Sequence, residues 1–257
     1  MDAELGERLQ KLRQEEIAQV FEGEQQLNNE SPVQGLMAVS ADATKLRERG
    51  EKVRTADGKK SYPSIWRDVK IGAVSEVGWD DKRQEAFCSS SSYVSGIEHA
   101  DEFLRRLTVE VQRRTKDTKT QQMVFLADGA KWIWDRFAEI APPNATFILD
   151  FYHACEHVSE LCKRLYGEQT PEYWKHFKRW KTTLFAGRVQ KFLHELRQIR
   201  DTASYRAHRD FIQGEINYFT ENKNRMRYDV YRAPPTANWK RLYRYANSRG
   251  YYPVFSM

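Results

Sequence analysis

Two apolar runs in the middle of the chain each end in a single aspartate: MVFLAD closes at Asp128 and TFILD at Asp150. Short runs of Val, Ile, Phe and Leu bounded by breakers fit strands buried on both faces. Gly129 and the Pro142-Pro143 pair supply the breakers. Between them, AKWIWDRFAEIA sets Trp134 with Ala130 and Ala138, and Ile133 with Phe137, at helical spacing, so the unit reads strand, helix, strand. A parallel unit of this kind brings both strand ends to one sheet edge, where open α/β sheets keep their binding crevices. Upstream, Leu36–Ser40 forms a third short apolar run leading into Asp42, while Thr44–Ser64 is almost wholly polar and reads as a long exposed hairpin loop. Trp66–Val77 alternates with period two, Arg83–Tyr93 alternates more weakly, and the three runs together predict an antiparallel meander.

Helical periodicity dominates elsewhere. His99–Thr115 places Phe103, Leu107 and Val111 on one face and leads through a basic linker, 115–120, into the central unit. After Asp150 only helical patterns follow as far as Met226. The first runs from Tyr152 to about Gly167. The second is capped by Thr170-Pro171 and carries Trp174, Phe177, Trp180 and Leu184 on one face; two more cover Val189–Arg200 and Tyr205–Arg225. Leu5, Leu9, Leu12, Ile17, Val20 and Phe21 suggest an amphipathic helix at the amino end. The expected organisation is an N-terminal helical segment (1–31), an α/β core (33–165), a helical insertion (166–232) and a divergent tail (233–257). Three antiparallel strands, then helix, strand, helix, strand and further helices is the element order of a ribonuclease H-like mixed sheet with an all-helical insertion. In that topology the first and fourth strands are central neighbours, so Asp42 and Asp128 are expected to meet near their strand ends.

Composition narrows the picture modestly. The 257 residues carry 42 basic and 36 acidic side chains, a formal charge of +6 with a pI near 9.1, which is compatible with a polyanionic partner without requiring one. No apolar run approaches the roughly 20 residues that span a bilayer, and the charged amino terminus has no apolar signal core. A cytoplasmic, non-membrane protein is expected, in bacteria one that associates with the nucleoid. Cys88, Cys155 and Cys162 make neither a CxxC pair nor an even-numbered disulfide framework.

Two aspartates at matched strand ends suit phosphodiester chemistry, because carboxylates can bridge two magnesium ions that clamp the attacking and leaving oxygens. The residues also carry a resemblance. LADGAKWIWDRFAEIAPPNATFILDFYHACEHV, with SADATKL around Asp42, WRDVKIGAVS and INYFTENKNRMRYDVYRA, resembles bacterial insertion-sequence DDE transposases of the ISKra group, distant relatives of Mutator-type transposases, over roughly residues 36 to 233. The resemblance implies metal-dependent cutting and joining of transposon ends. It puts Asp42 and Asp128 in the places of the first and second catalytic acids and metal ligands, with Mg2+ or Mn2+ as cofactor. DNA (transposon ends and target) and further copies of an intact chain are the implied partners.

The chain departs from the pattern in two places. Asp42 stands in DAT where a DG pair is usual. Residues 233–257, where a glycine- and serine-containing turn and the final catalytic glutamate would follow, hold no acidic residue. A truncation or shifted reading frame soon after Arg232, and a catalytically dead remnant, are therefore expected. The alternatives are a non-enzymatic DNA-binding or oligomerising fragment, and a ribonuclease H-like nuclease using Asp42, Asp128 and Asp150.

Other side chains admit two readings each. Asp150 is a supporting acid or a helix cap. Tyr152, His153 and His157 support the acids or contact phosphate; His153 and His157, at i and i+4, with Cys155 and Cys162 nearby, also raise zinc, although the spacing closes no tetrahedral set on one helix. Glu215, Glu221 and Asp229 read as solvated acids on the last insertion helix. Lys45, Arg47 and Arg49 in the polar stretch, and Lys175 and Arg179 beside Trp174 and Trp180, are candidate DNA contacts or ordinary solvated faces.

Overall fold

The computed structural model describes residues 35–54, 60–80, 82, 85–115 and 122–231, with seven further residues between Arg8 and Ala18. Those seven are helical and Ile17 among them is buried, as the amphipathic pattern predicts. The linker 116–120 and the tail 233–257 lie outside the described residues.

Five strands make the main sheet: β1 (Leu36–Arg49), β4 (Ser64–Asp80), β5 (Glu85–Gly96), β6 (Met123–Ala127) and β7 (Thr146–Leu149). Their order is β5-β4-β1-β6-β7, antiparallel between β5, β4 and β1 and parallel between β1, β6 and β7. The fold is thus a mixed α/β sheet, and the expected adjacency of the first strand and the MVFLA strand holds. A small separate pair, β2 (Val53–Arg54) with β3 (Lys60–Ser61), sits in the β1–β4 connection.

One sheet face is apolar across its two central strands, β1 and β6, where alternate residues are hydrophobic. Met37, Val39 and Ala41 of β1 lie beside Met123, Phe125 and Ala127 of β6 on the same side, all buried. Helices α1 (Ala100–Arg114) and α2 (Lys131–Ile140) bring Phe103, Leu107, Ile133, Trp134 and Phe137 into the core, fully or nearly fully buried. The Phe125 and Phe137 rings lie 4.9 Å apart, and Phe125 stacks on Phe147 at 5.5 Å. α1 approaches closely because β4 has Gly72 there: a Cβ would stand 2.9 Å from Leu107 Cδ1.

Two expectations about the sheet need correcting. β1 does not stop before Asp42, and 44–64 is not one long loop. β1 continues to Arg49, paired in unbroken register with β4 down to Arg49 opposite Ser64. What ends near Asp42 is the partnership with β6, whose last pair is Ala41 with Ala127. Beyond that point the two strands run on as a ribbon open to water on both sides, so the burial pattern that betrays a strand is absent from the sequence. β5 likewise extends to Gly96, past the predicted Tyr93.

After β7, α3 (Phe151–Tyr166), α4 (Pro171–Phe185), α5 (Val189–Asp201), α6 (Arg209–Asn222) and the short α7 (Tyr228–Tyr231) pack on one another and on the sheet edge, with 3-10 turns at Ala203–His208 and Lys223–Arg225. Thr170 caps α4 by accepting from Tyr173 N at 3.1 Å, with Pro171 in the first turn, as predicted. On the predicted α4 face, Trp180 and Leu184 are fully buried, but Trp174 is 42% exposed and does not join them. α7 ties back to the sheet through Tyr228, whose buried hydroxyl donates to Leu149 O at 3.0 Å. No helix among the described residues is long and apolar enough to cross a membrane.

Candidate acid site at the sheet edge

Where β6 ends, β1 loses its neighbour and a cleft opens between the two strands. A cavity of about 140 Å³ occupies it, lined by Asp42, Asp128, Asp150, Tyr152, His153 and Glu156, with strand residues as its floor. The three aspartates arrive by the same device. Asp42 follows the last β1–β6 pair, Asp128 is the first residue after β6, and Asp150 is the first after β7. Each carboxylate is oriented by a local backbone donor: Asp42 Oδ1 accepts from Ala43 N (2.7 Å), Asp128 Oδ1 from Ala130 N (2.8 Å) and Asp150 Oδ1 from Tyr152 N (2.9 Å). The last bond makes Asp150 the N-cap of α3. Asp150 is thus a helix cap that also lines the cavity.

Electrostatics separates this cluster from a solvated acidic patch. Burial holds the Asp42 carboxyl above its ordinary value of 3.8; the Ala43 N–H and His153 work against the shift, while the charges of Asp128 and Glu156 add to it. Asp150 is raised for the same leading reason, opposed by the Tyr152 N–H. Among the described residues, no lysine or arginine forms an ion pair with Asp42, Asp128 or Asp150. The site therefore gathers like charges, partly out of water, and among the described residues His153 is what offsets them, with no lysine or arginine ion pair.

That imbalance makes a pH prediction. Because the folded state holds the Asp42 proton more tightly than the unfolded chain does, Asp42 subtracts stability as pH rises through a window starting near 3.8. Asp42→Asn is expected to raise the urea midpoint at pH 7 and to leave it unchanged below pH 3. An equal shift at both pH values would mean that the effect is not one of charge.

Behind the cavity lies a second layer that the sequence did not reveal. His157 is held by Glu215 of α6, with Nδ1 2.9 Å from Oε2, and its ring stacks on Tyr218 at 3.8 Å and 14°. Glu215 is 8% exposed, so the expectation of a solvated acid is wrong for this residue. Tyr218 packs directly over Gly129, the residue after Asp128. Its hydroxyl is buried without a hydrogen-bond partner among the described residues, and its pKa is pushed up by burial first and then by the nearby charges of Asp128 and Glu215. Glu156, also missed, lines the cavity and approaches His153 Nδ1 at 3.2 Å. Its signal was present: Asp150, His153 and Glu156 follow one another at intervals of three from the N-cap of α3.

The other candidate residues are distributed differently. Lys45, Arg47 and Arg49 are exposed on the ribbon, whereas Lys175 and Arg179 lie on α4, where Arg179 is ion-paired with Glu195 at 2.9 Å. Burial pushes the thiols of Cys155 and Cys162 up to about 12. Among the described residues, no group of three or more His, Cys, Asp or Glu side chains is arranged to hold a metal ion.

For a hard divalent cation the donor chemistry is nonetheless suitable at the level of a pair. Magnesium is usually held by one or two carboxylates, with water and substrate phosphate completing the shell. Asp42 and Asp128 line one cavity and keep one oxygen each outside the backbone hydrogen bonds described. Compared with family models, with curated proteins and with solved structures, the chain matches none.

Proposed function

We propose that the chain is the core of an insertion-sequence DDE transposase with a ribonuclease H-like sheet, one that binds DNA and a divalent cation and does not cut by itself, since residues 233–257 hold no Asp or Glu to act as a third acid. The observation that carries this reading is that β1 and β6 are neighbours, so Asp42 and Asp128, 86 positions apart in sequence, line the same cavity. Asp42 and Asp128 would hold the cation, Mg2+ or Mn2+. When bound, such an ion polarises the scissile phosphate and lowers the pKa of the attacking oxygen. The chain's own part is to keep the two carboxylates fixed by Ala43 N and Ala130 N, and to hold α3 with Tyr152 and His153 at the cavity wall. Residues 233–257 supply no carboxylate. In an active relative, further copies of the chain would assemble on the transposon ends.

A second reading has an observation of its own. Asp150 lines the same cavity, which favours a ribonuclease H-like nuclease working with three aspartates. Supercoiled plasmid incubated with the full chain and Mn2+ or Mg2+ separates the two. The transposase-remnant reading expects no nicking above the level of Asp128→Ala. The nuclease reading expects nicking that falls at least about a hundredfold in Asp42→Asn, Asp128→Asn and Asp150→Asn alike. Nicking undiminished in Asp128→Ala would reject the nuclease reading, and nicking that Asp128→Ala abolishes would reject the remnant reading.

A further inference from the structure

The ribbon formed by β1 beyond Asp42 and by the start of β4 has two unlike sides. Cross-strand partners in an antiparallel pair project to the same side. Lys45, Arg47 and Arg49 therefore share a side with Trp66, which lies directly opposite Arg47 and is 61% exposed. The other side carries Leu46, Ile65 and Val69, and its one arginine, Arg67, is occupied by Glu48 at 2.9 Å. On the basic side the one acid is Asp68, opposite Lys45. Arg47 and Arg49 are held in place: Arg47 Nε donates to Ser64 Oγ at 2.7 Å, and the Arg49 guanidinium lies 3.6 Å over the Tyr62 ring.

Charge is concentrated here beyond what composition suggests. From Lys45 to Lys70 the chain has nine lysines and arginines against four acids, so 26 residues hold +5 of the whole chain's +6. Geometry matches one polyanion in particular. Same-side residues on a strand recur about every 6.8 Å, or two base-pair steps of 3.4 Å. A two-stranded ribbon also fits the major groove of B-DNA, which is about 12 Å wide.

We infer that this ribbon is a DNA-binding arm that lies along duplex DNA, with Lys45, Arg47 and Arg49 meeting every second phosphate of one strand and Trp66 against the groove wall. The arm continues the strand that carries Asp42, and by strand alternation its basic side is the one that Ala41 and Ala43 share, opposite to that of the Asp42 side chain. The inference rests on the nucleic-acid part of the proposed function and adds the docking element and its face.

The test is a fluorescence-anisotropy titration of the full chain with a labelled 30-bp duplex between 50 and 200 mM salt. The triple variant Lys45→Ala, Arg47→Ala, Arg49→Ala is expected to lower the magnitude of the log–log salt slope by about 2.7, or 0.9 for each lost phosphate contact. Trp66→Ala is expected to weaken binding at least about fivefold, with Trp66→Phe restoring most of it. All four side chains are exposed, and a second readout requires no variant: acetylation of Lys45 in the wild-type chain should be suppressed by bound duplex, while that of Lys131, 84% exposed at its side chain on α2, should not. Unchanged slope and unprotected Lys45 in a chain that still binds duplex would overturn the arm and leave the proposed function standing. Failure of the wild-type chain to bind at 50 mM salt would overturn both.

Discussion

Alanine in place of Gly129 is expected to destabilise the fold by about 1–3 kcal/mol, as overpacking does in a well-filled site, and to displace Asp128 with it. A Cβ at this position would stand 2.1 Å from Tyr218 Cε2 and 2.8 Å from its Oη, so the ring or the turn must move. The ring has little freedom. It is stacked on His157, His157 is fixed by Glu215, and Phe219 packs edge-on to Tyr218 at 5.1 Å. Moving the turn instead shifts Asp128, whose Oδ1 is bonded to Ala130 N across Gly129. Urea unfolding of Gly129→Ala, Tyr218→Ala and the double variant decides the matter, since the double should cost less than the sum by about 0.5–3 kcal/mol. Additive costs would mean that the two residues are not in contact. Loss of Mn2+ binding in Gly129→Ala, restored in the double variant, would further show that the insertion helix holds the acid site through this contact.

The Gly129 contact illustrates which features sequence can and cannot reveal. The strands ending at Asp128 and Asp150, the helix between them and the Thr170 cap were all legible, because burial on one or both faces forces periodicity or continuous apolar runs on those residues. The pairing of Asp42 with Asp128 was legible too, although only through topology, since nothing local connects them. The ribbon was not. Its residues meet water on every side, so no burial pattern constrains their order, and a polar strand looks like a loop. Glu215 failed for the opposite reason: an isolated acid on an amphipathic helix carries no sign that a histidine 58 positions upstream will bury it. Trp174 shows that periodicity assigns a face and not its edges, for it lies on the predicted stripe and still points to solvent.

These features divide the labour around the cavity. The sheet supplies the acids, α3 supplies the wall, and α6 reaches back to support both through Glu215 and Tyr218. The helices after α3 are therefore part of the site's architecture, and their buried residues and those of the sheet belong to one continuous hydrophobic cluster. A cluster shared in this way predicts that damage inside the insertion reaches the acids.

Trp180→Ala should demonstrate that coupling most strongly. Trp180 is fully buried at the centre of the insertion, with its ring 5.6 Å from Phe192 and 5.4 Å from His176, and its Nε1 donates to Glu195 Oε2 at 2.9 Å. Truncating a buried tryptophan to alanine costs about 3–5 kcal/mol, from lost apolar burial and from the cavity left behind. Glu195 keeps its ion pair with Arg179, so the hydrogen bond is the smaller part of the loss. Trp180→Phe isolates the two effects, because it retains a ring in the core and removes only the N–H and part of the volume. Its expected cost is about 1–3 kcal/mol. Urea unfolding followed by far-UV circular dichroism measures both. If the helices after α3 and the sheet form one cooperative unit, Trp180→Ala lowers the midpoint of a single transition, and the Mn2+ binding proposed for the acids disappears along that same transition. Two separated transitions, with cation binding intact after the first, would show instead that the sheet holds its acids without the insertion.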